Sequence, residues 1–191
     1  MRVADKFTAA RLFFAPVFLC CYLFAAHNGK YSLPVLAILI VLLAGAEFTD
    51  FLDGYFARKL KQVSDFGKIF DPFADVVLHL TTFFCFTLAG FFPGILFMLI
   101  VYREFAMLFL RLLSIKQGVA IGARKGGKLK TICYVFTGFY MLAFELYSRT
   151  GISTFVAPDW VGFALAGLCT ILAYISCIDY LIHFGSVFKT V

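Results

Sequence analysis

Four aspartates carry the most specific chemistry in this sequence. Asp50 and Asp53 close one apolar stretch, and Asp71 and Asp75 open the next. Spacings of three and four residues put each pair on one face of a helix. An aspartate inside a bilayer costs about 2.5–3.5 kcal/mol at the helix centre and less near the interface. Four facing one another would also repel. A divalent cation between them answers both costs: carboxylate oxygens are hard ligands that suit Mg²⁺ or Mn²⁺, and two ions about 4 Å apart clamp a phosphoryl group during displacement. Taken singly, Asp71 before Pro72 also fits a helix N-cap with proline at the first helical position, and Asp50 also fits an interfacial residue.

The residues between the two pairs favour the metal reading. Gly54 and Ala57 leave one helix face nearly bare, so a bulky ligand can approach the backbone there. Arg58 brings a guanidinium suited to a diphosphate. Gly67 allows the intervening loop to turn back or to come close to the ligand. Written out, the pattern is Asp50-x2-Asp53-Gly54-x2-Ala57-Arg58-x8-Gly67-x3-Asp71-x3-Asp75. At every defined position it resembles the signature of the CDP-alcohol phosphotransferase family.

That resemblance implies a fold and a reaction. It implies six transmembrane helices, paired as a homodimer, with a site open to the cytoplasm. It implies two metal ions held by Asp50, Asp53, Asp71 and Asp75, with a CDP-linked donor across them. An alcohol would attack the β-phosphorus, CMP would leave and a phosphodiester would form. Asp75 would also serve as general base, and Gly54, Ala57, Arg58 and Gly67 would contact the CDP portion.

The elements that must hold these residues are apolar. Of 191 residues, 62% are apolar and 15% charged, and 26 are Phe; the mean hydropathy is +0.93. A soluble domain runs near half apolar and a quarter charged, and so much large apolar surface has no place on a globule in water. A soluble enzyme, a disordered tail and a secreted disulfide scaffold are excluded. Six apolar stretches, near 9–26, 34–49, 74–88, 93–113, 131–146 and 160–184, each approach the roughly 20 residues that span a bilayer. The expectation is an all-α integral membrane protein, with residues 1–191 forming one domain of six spanning helices and no cleavable signal.

The net charge of +6 fits membrane and phosphate partners rather than nucleic acid, because the basic residues fall between apolar runs. Lys and Arg crowd the N-terminus, the 58–70 and 114–130 segments and the C-terminus, whereas the other side holds only Lys30 and Arg149. By the positive-inside rule both termini are cytoplasmic, in a multi-pass protein of the inner cell membrane whose site faces the cytoplasm. The six cysteines lie inside apolar runs with no CxxC pair and read as packing residues.

A second group of residues bears on the acceptor. Arg103 sits about ten residues inside the fourth stretch, and an unpaired intramembrane arginine needs a reason. Glu104 projects about 100° away on a helix and is not expected as its face-to-face partner; ligand contact is the favoured reading for Arg103 and Arg111, and structural pairing with Glu104 or Glu47 is the alternative. Arg111 shares the face of Arg103. With Arg124, Lys125, Lys128 and Lys130 they are expected to line an anion pocket, although the 124–130 run also reads as a positive-inside loop. Thr8-x2-Arg11-x4-Pro16, Tyr102-Arg103-Glu104-Phe105, Leu110-Arg111-Leu112-Leu113 and Gly127-Lys128-Leu129-Lys130-Thr131 resemble the branch of the family that joins CDP-diacylglycerol to sn-glycerol 3-phosphate. In that branch Asn is usual where Asp5 stands, and Lys is common where Val76 follows Asp75.

The alternatives are another acceptor for the same chemistry (inositol phosphate, or phosphatidylglycerol as in a cardiolipin synthase) or a cation or proton transporter built on the same carboxylates. His79, one turn past Asp75, reads as a packing histidine more readily than as a partner to that carboxylate. Glu145 and Asp179 read as interfacial or structural.

Overall fold

Long runs of Leu, Phe, Ile and Ala leave the backbone one way to satisfy its hydrogen bonds in an apolar medium, the helix. A computed structural model of the protein describes residues 3–27, 32–59, 65–118, 125–149 and 160–184, with the side chains at 3–7, 32, 50–59, 65, 66, 68 and 125 outside that description. The described chain forms six helices: α1 (Val3–His27), α2 (Ser32–Lys59), α3 (Asp65–Leu88), α4 (Gly94–Lys116), α5 (Lys125–Arg149) and α6 (Trp160–Phe184). Each of the six apolar stretches falls on one of them. Among the described residues, four segments are long and apolar enough to cross a membrane: Thr8–His27, Ile69–Leu88, Gly126–Arg149 and Trp160–Phe184. The apolar part of α2 is shorter, Leu33–Thr49, and α4 carries Arg103, Glu104 and Arg111 along its length.

The helix boundaries correct three expectations. The helix α3 begins at Asp65, so Asp71 lies within it and is not an N-cap, and Pro72 is an interior proline. Gly67 is likewise helical rather than part of a loop that turns back. The helix α5 begins at Lys125, so Lys128 and Lys130 belong to its first turns and not to a loop. In each case the polar residues that suggested a loop extend a helix beyond its apolar part.

The connection from α3 to α4 is sharp. Gly90 adopts φ +82°, a left-handed conformation that glycine takes without steric cost. The Phe91 N–H donates to the Phe86 carbonyl at 3.0 Å and the Gly90 N–H to that of Thr87 at 3.1 Å, which closes the helix end as a Schellman motif. The turn reverses the chain, so the N-terminal half of α3 lies beside the C-terminal half of α4. Contacts between side chains fix the other directions. Thr8 meets Asp71 and Tyr22 meets Glu145, so α1, α3 and α5 run one way while α2, α4 and α6 run back.

The interior is aromatic. Phe83 stacks on Phe92 with centroids 4.9 Å apart and meets Tyr134 edge-on at 5.1 Å. Close approach of α6 depends on small residues: a Cβ on Gly162 would lie 2.9 Å from the Phe91 carbonyl oxygen, and Gly126 abuts Ser176. Large apolar side chains such as Ile95, Val41 and Ile182 point outward, as lipid-facing positions do and as a water-soluble surface would not.

Candidate active site

The helix α1 supports two aspartates of α3. Thr8 Oγ1 donates to Asp71 Oδ1 at 2.6 Å, and Arg11 Nη1 donates to Asp75 Oδ1 in an ion pair. Thr8 and Arg11 are one turn apart on one helix and Asp71 and Asp75 one turn apart on the other, so the two parallel helices meet in two rungs. Thr8 and the Arg11 side chain are buried, whereas the Asp75 carboxylate is 35% exposed. Asp75 faces a cavity. Two hard carboxylates on one helical face, beside a polar cavity, form a donor set that fits Mg²⁺ or Mn²⁺. Among the described residues no three acidic, histidine or cysteine side chains converge.

The other aspartate pair sits on α2, where the backbone is helical and the side chains lie outside the described residues. The register of α2 against α3 is visible nearby: His79 Nε2 is 3.3 Å from Glu47 Oε1. Asp50 and Asp53 follow Glu47 along α2, and Asp75 and Asp71 precede His79 along α3. Because the helices run in opposite directions, all four positions lie toward the same end of the bundle. Gly54, Ala57 and Arg58 follow on α2, their side chains also outside the described residues; Gly67 stands one turn before Asp71 on α3.

Beside Asp75, a cavity of about 90 Å³ is lined by Arg103, Glu104 and Arg111 of α4, Lys130 and Tyr134 of α5, and Ser176 and Tyr180 of α6. A buried carboxylate organises this wall. Glu104 accepts from Arg103 Nη1 at 2.9 Å, from Lys130 Nζ at 2.7 Å and from the Tyr134 hydroxyl at 3.0 Å. Arg103 is held further by the Ala173 carbonyl at 2.9 Å and the Ser176 hydroxyl at 3.2 Å, and Lys130 stands 4.6 Å above the Tyr134 ring. One carboxylate thus faces two cations, so the cluster keeps a net positive charge. Arg111 adds to it: among the described residues its buried Nε has no hydrogen-bond partner.

These positions revise the sequence reading of the cations. Arg103 and Glu104 are paired after all, because a long guanidinium arm curls back across the 100° that separates the two Cβ atoms. Arg103 lines the cavity, and each of its three guanidinium nitrogens donates to a partner in the wall. Lys130 belongs to the same wall, while Lys128 is exposed and does not line the cavity. The Arg124 and Lys125 side chains lie outside the described residues. The sixth stretch, which shows only hydrophobicity in the sequence, supplies Ser176 and the Ala173 carbonyl. A lone serine in an apolar run gives no signal; the adjacent Arg-Glu pair inside such a run did.

His79 lines the same cavity and links α3 to its neighbours. Its Nδ1 donates to the Asp75 main-chain carbonyl at 2.8 Å, and its ring meets Tyr134 edge-on with centroids 5.7 Å apart. Val76, which follows Asp75, is buried in the cavity wall. At the opposite end of the bundle, Glu145 is buried and structural, accepting from the Tyr22 hydroxyl and from Arg149, both at 2.6 Å. The six cysteines are free, and Cys133 and Cys169 pack against each other between α5 and α6.

The family model described as CDP-alcohol phosphatidyltransferase matches residues 1–178, and the chain belongs to that family. It is 37% identical over 202 aligned residues to a Treponema pallidum (strain Nichols) protein named CDP-diacylglycerol–glycerol-3-phosphate 3-phosphatidyltransferase, covering 100% of this chain and 93% of that one. A Bacillus subtilis (strain 168) protein of the same name is 33% identical over 154 residues, 75% of this chain and 80% of that one. One from Aquifex aeolicus (strain VF5), again of that name, is 33% identical over 137 residues, 69% of this chain and 70% of the relative.

Proposed function

We propose that this chain transfers the phosphatidyl group from CDP-diacylglycerol to sn-glycerol 3-phosphate, releasing CMP and forming phosphatidylglycerophosphate. The observation that carries the reading is the coincidence of two features at one end of the bundle. There, the Asp71–Asp75 face of α3 adjoins a cavity walled by Arg103, Arg111 and Lys130. The relatives' shared name supports the same donor and acceptor.

In this reading Asp50, Asp53, Asp71 and Asp75 hold two Mg²⁺ or Mn²⁺ ions, which when bound neutralise the diphosphate and stabilise the leaving CMP. The chain's own groups do the rest. Gly54, Ala57, Arg58 and Gly67 bind the CDP portion. Arg111, whose buried Nε has no acceptor among the described residues, binds the phosphate of the acceptor. Arg103 and Lys130, fixed by Glu104, supply positive potential without having to move. The acceptor hydroxyl attacks the β-phosphorus, Asp75 takes its proton, the phosphoanhydride bond breaks and CMP departs. A site at the end of the bundle suits these substrates: CDP and glycerol phosphate arrive from water while two acyl chains stay in lipid.

The wider arrangement follows from the same reading. Residues 1–191 form a single catalytic domain with six spans and both termini in the cytoplasm. The protein sits in the inner cell membrane as a homodimer with the site facing the cytoplasm. The positive wall favours an anionic acceptor over choline or ethanolamine. Purified protein given CDP-diacylglycerol and a panel of alcohols tests this: CMP release with glycerol 3-phosphate is expected. Release only with inositol phosphate or phosphatidylglycerol would reassign the acceptor, and ion flux without CMP would favour a transporter.

A further inference from the structure

We infer that Thr8 and Arg11 of α1 are positioning residues that set the metal-binding geometry of Asp71 and Asp75, an inference that rests on the metal reading proposed above. An aspartate side chain on a helix turns about two bonds, and a carboxylate ligates well only when its oxygens are aimed. A donor on a neighbouring element fixes that aim, as partners behind the ligands do at metal sites generally. Here each carboxylate of α3 has such a donor on α1. Thr8 is fully buried and its hydroxyl lies 2.6 Å from Asp71 Oδ1, a short, charge-assisted contact. Arg11, with its side chain 1% exposed, donates to Asp75 Oδ1.

The spacing reinforces the assignment. Two donors three residues apart on α1 meet two acceptors four residues apart on the parallel α3, so both rungs are formed by one packing of the two helices. Neither donor lines the cavity beside Asp75. They act through the aspartates and not on the substrate.

The test measures Mn²⁺ binding to the full-length protein in detergent, without lipid donor, by the loss of the free-ion paramagnetic signal. Thr8→Val keeps the volume and removes the donor. It is expected to weaken Mn²⁺ binding by roughly tenfold, within the 10–100-fold range typical of such partners. Thr8→Ser should restore binding. Arg11→Lys, which keeps the charge and loses the planar fork, should weaken binding as well and serves if Thr8→Val does not fold. In turnover assays the loss in Thr8→Val should shrink as Mn²⁺ is raised, which a merely structural defect would not do. Wild-type Mn²⁺ affinity in Thr8→Val and Arg11→Lys, alongside lost binding in Asp71→Asn, would overturn the positioning role alone. Wild-type affinity in Asp71→Asn would overturn the metal reading beneath it.

Discussion

Arg103 rests on the carboxylate of its own neighbour in the chain, Glu104, at 2.9 Å. The same carboxylate holds Lys130 from α5, so one acid ties two cations from different helices into the cavity wall. With its side chain only 4% exposed, Glu104 is almost entirely enclosed by those partners.

Glu104→Gln should therefore destabilise the fold. It leaves Arg103 and Lys130 buried without their counter-charge, a change that costs about 3–5 kcal/mol when one partner of a buried pair is removed. Thermal unfolding in detergent measures it. A variant as stable as the wild type would show that the cations find other acceptors.

Arg103 and Arg111 should behave differently. Arg103→Gln breaks contacts to Glu104, Ala173 and Ser176 and is expected to lower stability. Arg111→Gln removes a side chain whose Nε lacks an acceptor among the described residues. It should leave unfolding almost unchanged and raise the KM for glycerol 3-phosphate about 10- to 100-fold, the equivalent of a charged hydrogen bond of about 1.5–3 kcal/mol. Steady-state kinetics with varied acceptor distinguishes the two.

Much of this architecture was legible in the sequence, and its limits have physical causes. The apolar stretches located all six helices, because length and hydrophobicity alone decide a helix in an apolar medium. Their polar extensions were hidden: Asp65–Lys68 and Lys125–Lys130 read as loop by composition although both segments are helical. The spacing of Asp71 and Asp75 gave their shared face, and the cavity beside Asp75 was foreshadowed by Arg103, Arg111 and Lys130. The partners of these groups were not legible. Helical angles between Cβ atoms misjudge an arginine, whose arm reaches round the helix, and nothing in an apolar run marks Ser176 or Ala173 as its acceptors.

The polar pair at the far end should be structural only. Tyr22→Phe removes the phenol that donates to buried Glu145 and should cost about 1–3 kcal/mol by leaving that carboxylate short of a donor. Tyr22 lies eleven residues beyond Arg11 on α1, about 16 Å along the axis. Unchanged turnover beside a lowered melting temperature is the expected result.

Close packing of α6 gives a further prediction. Gly162→Ala sets a methyl 2.9 Å from the Phe91 carbonyl oxygen and 3.2 Å from Met141 Cε, and should cost about 1–3 kcal/mol by overpacking. Gly167→Ala, on the same helix with open space at its Cβ, should instead be neutral or stabilise by up to about 1 kcal/mol. Unfolding midpoints of the two variants, measured side by side, check the contrast.

The most direct measurement of the central claim is CMP release from CDP-diacylglycerol and glycerol 3-phosphate by the wild type, Asp50→Asn and Asp71→Asn, each with Mg²⁺ or Mn²⁺ and with chelator. The account predicts turnover only in the wild type with metal present, all three proteins remaining folded. Near-normal turnover in either variant, or in chelator, would contradict it.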